Sequence, residues 1–169
     1  MSETVNIDQI RTILLAACQA IVDAKEELGD ADRATGDGDH GVGMSRGFGA
    51  GITALQGAEL ATVGDAFKEV GTAVLSTSGG ASGAVFGTMF RAPAKSLDSD
   101  TLDAEGYASA LEVAAEKVQA RGKAEPGHKT MLDALIPAAE AARQHTADGL
   151  AVAARAAAEG AASPLTASR

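Results

Sequence analysis

The chain has 169 residues, 23 acidic against 14 basic side chains, a formal charge of −9 and 46% apolar residues. That length suits one domain whose core needs no covalent staples, and the mix of apolar and charged residues excludes disorder. The acid excess excludes a broad nucleic-acid surface, which requires clustered Lys and Arg, but not a phosphate ligand whose charge a metal ion neutralises.

Helical periodicity runs along the whole chain. Ile10, Ile13, Leu14, Ala17, Ile21, Val22 and Leu28 recur at spacings of mostly three and four and predict one face of a long first helix. A break rich in Asp and Gly follows over 29–41. Residues 42–55 predict a short glycine-rich helix, and residues 60–75, with Val63, Ala66, Phe67, Val70 and Val74, predict another. A Gly/Ser break spans 76–83. Helical pattern resumes over 84–97, where Pro93 disturbs the end, and again over 102–120 with Tyr107, Leu111, Ala114, Ala115 and Val118. A third break covers 121–129. The spacing then predicts a helix over 131–144 and a final Ala-rich helix over 150–162. Alternation of β-branched residues is nowhere sustained. The reading is all-α, an antiparallel helical bundle or barrel of about seven helices in a single domain spanning 1–169.

No apolar run reaches the about 18 residues that a membrane span needs, so no membrane partner is expected. Leu15-Ala16-Ala17-Cys18 has the look of a lipoprotein cleavage box. Glu3, Asp8 and Gln9 stand where an export signal requires basic and then uninterrupted apolar residues, so the segment reads as helix core. Cys18, the single cysteine, reads as inert packing, excludes an intramolecular disulfide and fits a reducing, cytoplasmic compartment.

The breaks carry the residues with chemistry. In Asp32-Arg33-Ala34-Thr35-Gly36-Asp37-Gly38-Asp39-His40-Gly41, Asp37 and Asp39 share a side of an extended segment, and the glycines permit turns that bring Asp32 close. Two carboxylates about 4 Å apart repel by roughly 4 kcal/mol at an effective dielectric near 20. A converging trio therefore persists only with a cation or a proton. Mg²⁺ fits, because it takes few carboxylates and completes its shell with water and phosphate oxygens. The other reading is a solvated acidic loop with splayed side chains. The spacing is not that of an EF-hand. His40 reads either as a surface or capping residue or, beside a phosphate, as a donor or proton shuttle.

Ser76-Thr77-Ser78-Gly79-Gly80-Ala81-Ser82-Gly83 places small residues with free N–H groups before a helix, which makes an anion site or a tight helix–helix turn. The third break, Arg121-Gly122-Lys123-Ala124-Glu125-Pro126-Gly127-His128-Lys129-Thr130-Met131, nearly spells a phosphate-binding P-loop. His128 parts the Gly from the Lys and no strand precedes it, so that motif is excluded. Gly41-Val42-Gly43-Met44-Ser45-Arg46-Gly47 is likewise not a dinucleotide fingerprint, because it follows no strand. No Ser–His–Asp or Cys–His set, CxxC or HExxH is present.

Taken together the breaks resemble the nucleotide-binding (L) subunit of bacterial dihydroxyacetone kinases. The matching residues are Asp32 with Gly36-Asp37-Gly38-Asp39-His40-Gly41, Met44-Ser45-Arg46-Gly47-Phe48, Gly79-Gly80-Ala81-Ser82-Gly83, Phe86-Gly87-Thr88, Arg121-Gly122-Lys123-Ala124-Glu125-Pro126-Gly127 and Lys129-Thr130-Met131. The resemblance implies an eight-helix barrel that holds ADP or ATP through two Mg²⁺ ions. It places the metal ligands on Asp32, Asp37 and Asp39. It places nucleotide contacts on His40, Gly41, Val42, Gly43, Ala81 and Ser82, with Gly122 and Met131 near base and sugar, and a catalytic role on His40. It implies a K subunit partner that carries dihydroxyacetone and, in one branch of the family, a phosphotransferase-system M subunit that rephosphorylates the bound ADP. Two alternatives accompany it: a non-catalytic nucleotide-binding regulator or inactive shortened domain, and a fatty acid kinase-like domain, which usually has Thr where His40 stands. Gly43 and His128 replace the family's usual Asn and Asp. The family pattern also runs on past Arg169 to complete the barrel, so a shortened barrel would expose apolar helix faces and favour a homodimer.

Overall fold

The computed structural model describes residues 3–34 and 36–167. It is all-α, with a minimal two-residue strand pair. The elements run β1 (Val5–Asn6), α1 (Ile7–Asp23), α2 (Lys25–Arg33), α3 (His40–Gly57), α4 (Val63–Thr77), α5 (Gly80–Arg91), a 3-10 turn (Ala92–Ser96), β2 (Thr101–Leu102), α6 (Ala104–Gly122), α7 (Leu132–Gln144), a 3-10 turn (Thr146–Asp148) and α8 (Leu150–Ala167). Eight helices are described where the periodicity predicts about seven, because the long first helix is divided at Ala24.

Local chemistry explains most boundaries. Asn6 starts α1 with a reciprocal cap: its side chain accepts the Gln9 N–H and Gln9 Oε1 accepts the Asn6 N–H. Thr62 and Asp65 do the same for α4, which is why that helix starts at Val63 rather than Leu60. Asp103 caps α6 by accepting from Gly106 N at 2.8 Å. Pro93 closes α5 early by entering a 3-10 turn instead of a helix.

The chain-order neighbours pack against one another, with α1 also lying on α3 and α8 also on α6. In the first half the core is built from large side chains. Phe48, Leu55, Val63, Val70 and Val74 are fully buried, and Phe48 meets Phe86 and Phe90 edge-on with centroids 6.3 and 5.6 Å apart. Cys18 lies in the same cluster, and burial pushes its thiol up to about 11, as an inert packing residue requires. Ile13 and Ala17, predicted to share that face, are exposed; only Ile10, Leu14 and Cys18, each four apart, are buried on α1. The second half packs on alanine: Ala108, Ala138, Ala142 and Ala157 form one cluster between α6, α7 and α8. Arg143 of α7 ties that layer from outside, bonding Glu112, Glu105 and Ser109 of α6. The N-terminal segment closes on both halves, since β1 pairs with β2 and Glu3 accepts the Ala151 N–H at 3.3 Å in the first turn of α8. No helix among the described residues is long and apolar enough to cross a membrane.

Candidate functional site

The predicted break at 29–41 is shorter in the structure. Helix α2 continues through Gly29 to Arg33, and α3 starts at His40. A glycine inside a helix costs about 1 kcal/mol, and a Cβ on Gly29 would meet nothing nearer than Arg33 Nη1 at 3.5 Å, so the tight contact here belongs to Gly41. The first turn of α3 presses on α2 so tightly that a Cβ on Gly41 would stand 2.0 Å from the Lys25 carbonyl oxygen and 2.8 Å from Gly29 N. This contact fixes where α3, and with it His40 to Gly43, begins.

Between these helices the loop folds around Asp32. Its Oδ2 accepts from Gly38 N at 2.9 Å and from His40 N at 3.3 Å, and its own carbonyl oxygen accepts from Gly36 N at 2.6 Å. Gly38 takes φ of +81°, a conformation that favours glycine. Asp37 Oδ1 accepts from Asp39 N at 3.2 Å. The result is convergence: Asp32, Asp37 and Asp39 each bring one carboxylate oxygen within 4.8 Å of the others. Asp32 is half-buried and the other two are exposed. Asp32 Oδ1 takes no hydrogen bond among the described residues, so the residue that shapes the loop also keeps an oxygen free. A hard, oxygen-seeking divalent cation matches this donor set. It is the one cluster of at least three such ligands among the described residues.

The second break joins the first. Helix α5 starts at Gly80, so Ala81 and Ser82 stand in its first turn, where backbone N–H groups lack helical partners. Gly79 and Gly80 both have positive φ, +76° and +63°, a pair of turns that only glycine adopts at low cost. Ser78, just before them, is 2% exposed, and its Oγ has no hydrogen-bond partner. It is wedged against α3: a Cβ on Gly47 would lie 1.7 Å from Ser78 Oγ, and one on Gly43 would lie 3.1 Å from the Ser78 carbonyl oxygen. Arg46 locks this junction, donating from Nε to the Thr77 carbonyl at 2.6 Å and from Nη2 to the Ser78 carbonyl at 2.5 Å. The first turn of α3 thus carries His40, Gly41, Val42 and Gly43 between the acidic loop and the glycine turn. Val42 is exposed there, whereas Gly41 and Gly43 are buried.

The third break lies between α6 and α7. Lys123, with φ of +53°, ends α6 in a left-handed cap, and Lys129 is also left-handed at +56°. Met131 and Ala124 pack on the cluster of Ala114, Ala115, Val118, Leu132 and Leu135, and Val85 and Met89 of α5 pack on the same cluster. The loop is therefore anchored beside the body of α5. Gly122 is exposed, and nothing lies within 4 Å of where its side chain would be, so packing gives no reason for a glycine there.

Sequence reasoning passed over three residues. Asp133 accepts from Gly127 N at 2.5 Å and from Thr130 N at 3.1 Å, and these bonds hold its carboxyl below the usual range, Gly127 contributing most. The Thr130-x-x-Asp133 spacing is a helix-start signal that could have revealed it. Arg46 and Ser78 gave no local signal, because their partners lie 31 or more residues away.

The family model described as the DAK2 domain matches residues 34–168. The chain is 40% identical over 126 residues to the PEP-dependent dihydroxyacetone kinase 1, ADP-binding subunit DhaL, of Listeria innocua, which covers 75% of this chain and 64% of that protein. It is 39% identical over 140 residues to the PEP-dependent dihydroxyacetone kinase, ADP-binding subunit DhaL, of Escherichia coli K12, covering 82% and 67%. Among solved structures it superposes on the native dihydroxyacetone kinase of C. freundii with a TM-score of 0.74 and 25% identity, covering 90% of this chain and 28% of that one. The chain thus spans about two thirds of the length of these curated relatives.

Proposed function

The chain belongs to the DAK2 domain family, and from that premise we propose that it binds ADP or ATP through Mg²⁺ and serves phosphoryl transfer to dihydroxyacetone or a similar short ketose. The observation that carries this reading is the convergence of Asp32, Asp37 and Asp39 within 4.8 Å, directly before the His40–Gly43 turn. The relatives named as ADP-binding subunits support the nucleotide.

In this reading Asp32, Asp37 and Asp39 hold one or two Mg²⁺ ions. Bound there, the metal neutralises charge on the phosphate oxygens and fixes their direction. The protein's own part is positioning, which is most of what phosphoryl transfer asks of an enzyme. Free N–H groups in the first turns of α3 and α5, at Gly41, Val42, Ala81 and Ser82, receive the diphosphate with the favourable end of each helix dipole, and His40 and Gly43, whose N–H groups are taken by Asp32 Oδ2 and the Asp39 carbonyl, border it. Gly122 and Met131 border base and sugar. His40 is the candidate catalytic group, able to donate to a phosphoryl oxygen or carry the proton released by the acceptor hydroxyl. No nucleophile is required of this chain. The acceptor sits on a K subunit partner, and a phosphotransferase-system M subunit is the candidate phosphoryl donor to bound ADP.

Titration calorimetry with ADP tests the first half. Binding is expected with Mg²⁺ and absent with chelator, and Asp37→Asn should abolish the metal-dependent part. ADP binding that ignores both Mg²⁺ and this substitution would refute the reading. A coupled assay with a K subunit and dihydroxyacetone tests the second half: Mg-ADP binding without any turnover would favour a non-catalytic regulator.

A further inference from the structure

Helices α1, α4 and α6 each start under a side-chain cap, from Asn6, Thr62 and Asp103. Neither Asp39 before α3 nor Gly79 before α5 supplies one. Gly41, Val42, Ala81 and Ser82 therefore keep the N–H groups that a helix start leaves without a helical partner. The two starts meet across Ser78. Its carbonyl oxygen lies 3.1 Å from where a Cβ on Gly43 would stand, its Oγ 1.7 Å from one on Gly47 and its Cβ 2.8 Å from one on Gly83. Gly43 and Gly47 are one turn apart on α3, and Gly83 lies in the first turn of α5, so one buried residue is gripped from both helices.

Packing sets how closely α5 approaches α3, but it leaves the direction of the turn open. Gly79 and Gly80 follow Ser78 with positive φ, at +76° and +63°, and such a pair is the most pliable link a chain can place before a helix. Arg46 supplies the missing constraint. It stands one turn after Val42 on the exposed face of α3. Its guanidinium donates from Nε to the Thr77 carbonyl at 2.6 Å and from Nη2 to the Ser78 carbonyl at 2.5 Å. Among the described residues no backbone N–H reaches either carbonyl, as expected of the closing carbonyls of α4, and a cation is favoured at that end of a helix. Two donors of one planar group on two successive carbonyls fix direction as well as distance.

We propose that Arg46 is a positioning residue that holds the start of α5 in line with the start of α3, so that the free N–H groups of both helices address one diphosphate. Arg46 acts on the ligand through the Thr77 and Ser78 carbonyls and not as a phosphate-binding charge. The proposal rests on the reading above, in which these two helix starts receive the diphosphate.

The test measures Mg-ADP and Mg-pyrophosphate binding to the 169-residue chain by calorimetry, and follows backbone amide resonances, for wild type, Arg46→Lys and Arg46→Ala. Lysine keeps the charge but lacks the planar fork that makes the two parallel bonds. Affinity for both ligands should fall together by about tenfold in either variant, with helical circular dichroism unchanged. The Ala81 and Ser82 resonances should already be displaced before ligand is added, and their response to ligand should shrink, while Gly41 and Val42 still respond at saturation as in wild type. If Arg46→Ala fails to fold, Arg46→Lys carries the test. Wild-type affinity in Arg46→Lys would overturn the proposal, because a phosphate-binding charge or an idle side chain survives that change. Loss for Mg-ADP alone would overturn it as well, since the start of α5 would then not serve the diphosphate. Equal loss of response at all four amides would assign the effect to the fold at large and overturn it too. In each of these cases wild type still binds and the metal-site reading stands. If wild type binds neither ligand, that reading fails and the proposal falls with it.

Discussion

The acidic loop and the basic loop are built on the same device and use it differently. Each is tied by one aspartate that accepts two backbone N–H groups, Asp32 from Gly38 and His40, Asp133 from Gly127 and Thr130. Asp32 receives both bonds on Oδ2, and among the described residues Oδ1 accepts none. Asp133 spends one oxygen on each bond and keeps neither. A carboxylate that shapes its loop with one oxygen can still be a ligand, whereas one that uses both is a structural clip. The difference lies in which atoms remain, not in residue type, burial or sequence spacing.

The largest effect expected from this comparison is at Asp32, which combines the two roles. Asp32→Ala should lower Mg-ADP affinity by about 100-fold or more, beyond what loss of a supporting group alone produces. It should also loosen the loop in the absence of metal, seen as faster amide exchange at Gly38 and His40. Asp37→Asn removes a ligand but leaves those two amides bonded, so it should abolish metal binding with little change in their exchange. If the two variants behave alike in exchange, Asp32 is not the loop's clip and the comparison fails.

Much of this was legible before the structure. The three- and four-residue apolar spacing gave an all-α fold and most helix cores, and Asp37-Gly38-Asp39 announced a carboxylate cluster because alternating glycine permits close approach. What was not legible depends on contacts distant along the chain. Gly29 reads as a helix end, yet it lies inside α2, and the residue at that crossing that has no room for a Cβ is Gly41. Ile13 has the right spacing for the core but is exposed, because α1 buries a narrower stripe than its apolar residues offer. Ser78 looks like a loop serine and is instead buried between α3 and α5. Asp133 was readable from the Thr130-x-x-Asp133 pattern but was hidden by the neighbouring likeness to a P-loop.

The next effect in size concerns the frame that only the acidic loop has. Gly41→Ala puts a Cβ 2.0 Å from the Lys25 carbonyl oxygen, a backbone atom that cannot rotate away, so α3 must shift relative to α2. Overpacking of this kind costs about 3 kcal/mol, and Tm should fall accordingly, with Mg-ADP affinity falling too because His40 to Gly43 move with the helix. Gly127→Ala in the basic loop has nothing within 4 Å of the new carbon, and only its φ of +89° resists, so the loss of Tm should be clearly smaller. Equal losses would mean that the acidic loop owes nothing to this helix contact.

The smallest effect is the most discriminating, because it reads the two clips separately. The Asp133 carboxyl lies below the ordinary value of 3.8, chiefly through the Gly127 N–H. A depressed folded-state pKa contributes stability that is present above the unfolded value and is lost as pH falls through the folded value. Acidification below pH 3.8 should therefore unclip the basic loop, and the Gly127 and Thr130 amide resonances should move together with a midpoint under 3.8. Asp133→Asn should abolish that movement. Glu112 is also held low, first by its hydrogen bond with Arg143, so the α6–α7 tie weakens in the same acid range, and the variant is needed to separate the two. Mg²⁺ at neutral pH should do the reverse across the molecule, shifting Gly38 and His40 while leaving Gly127 and Thr130 still. A response of both amide pairs to both agents would show one coupled loop system rather than two independent clips, and the different use of the two carboxylates would no longer set the loops apart.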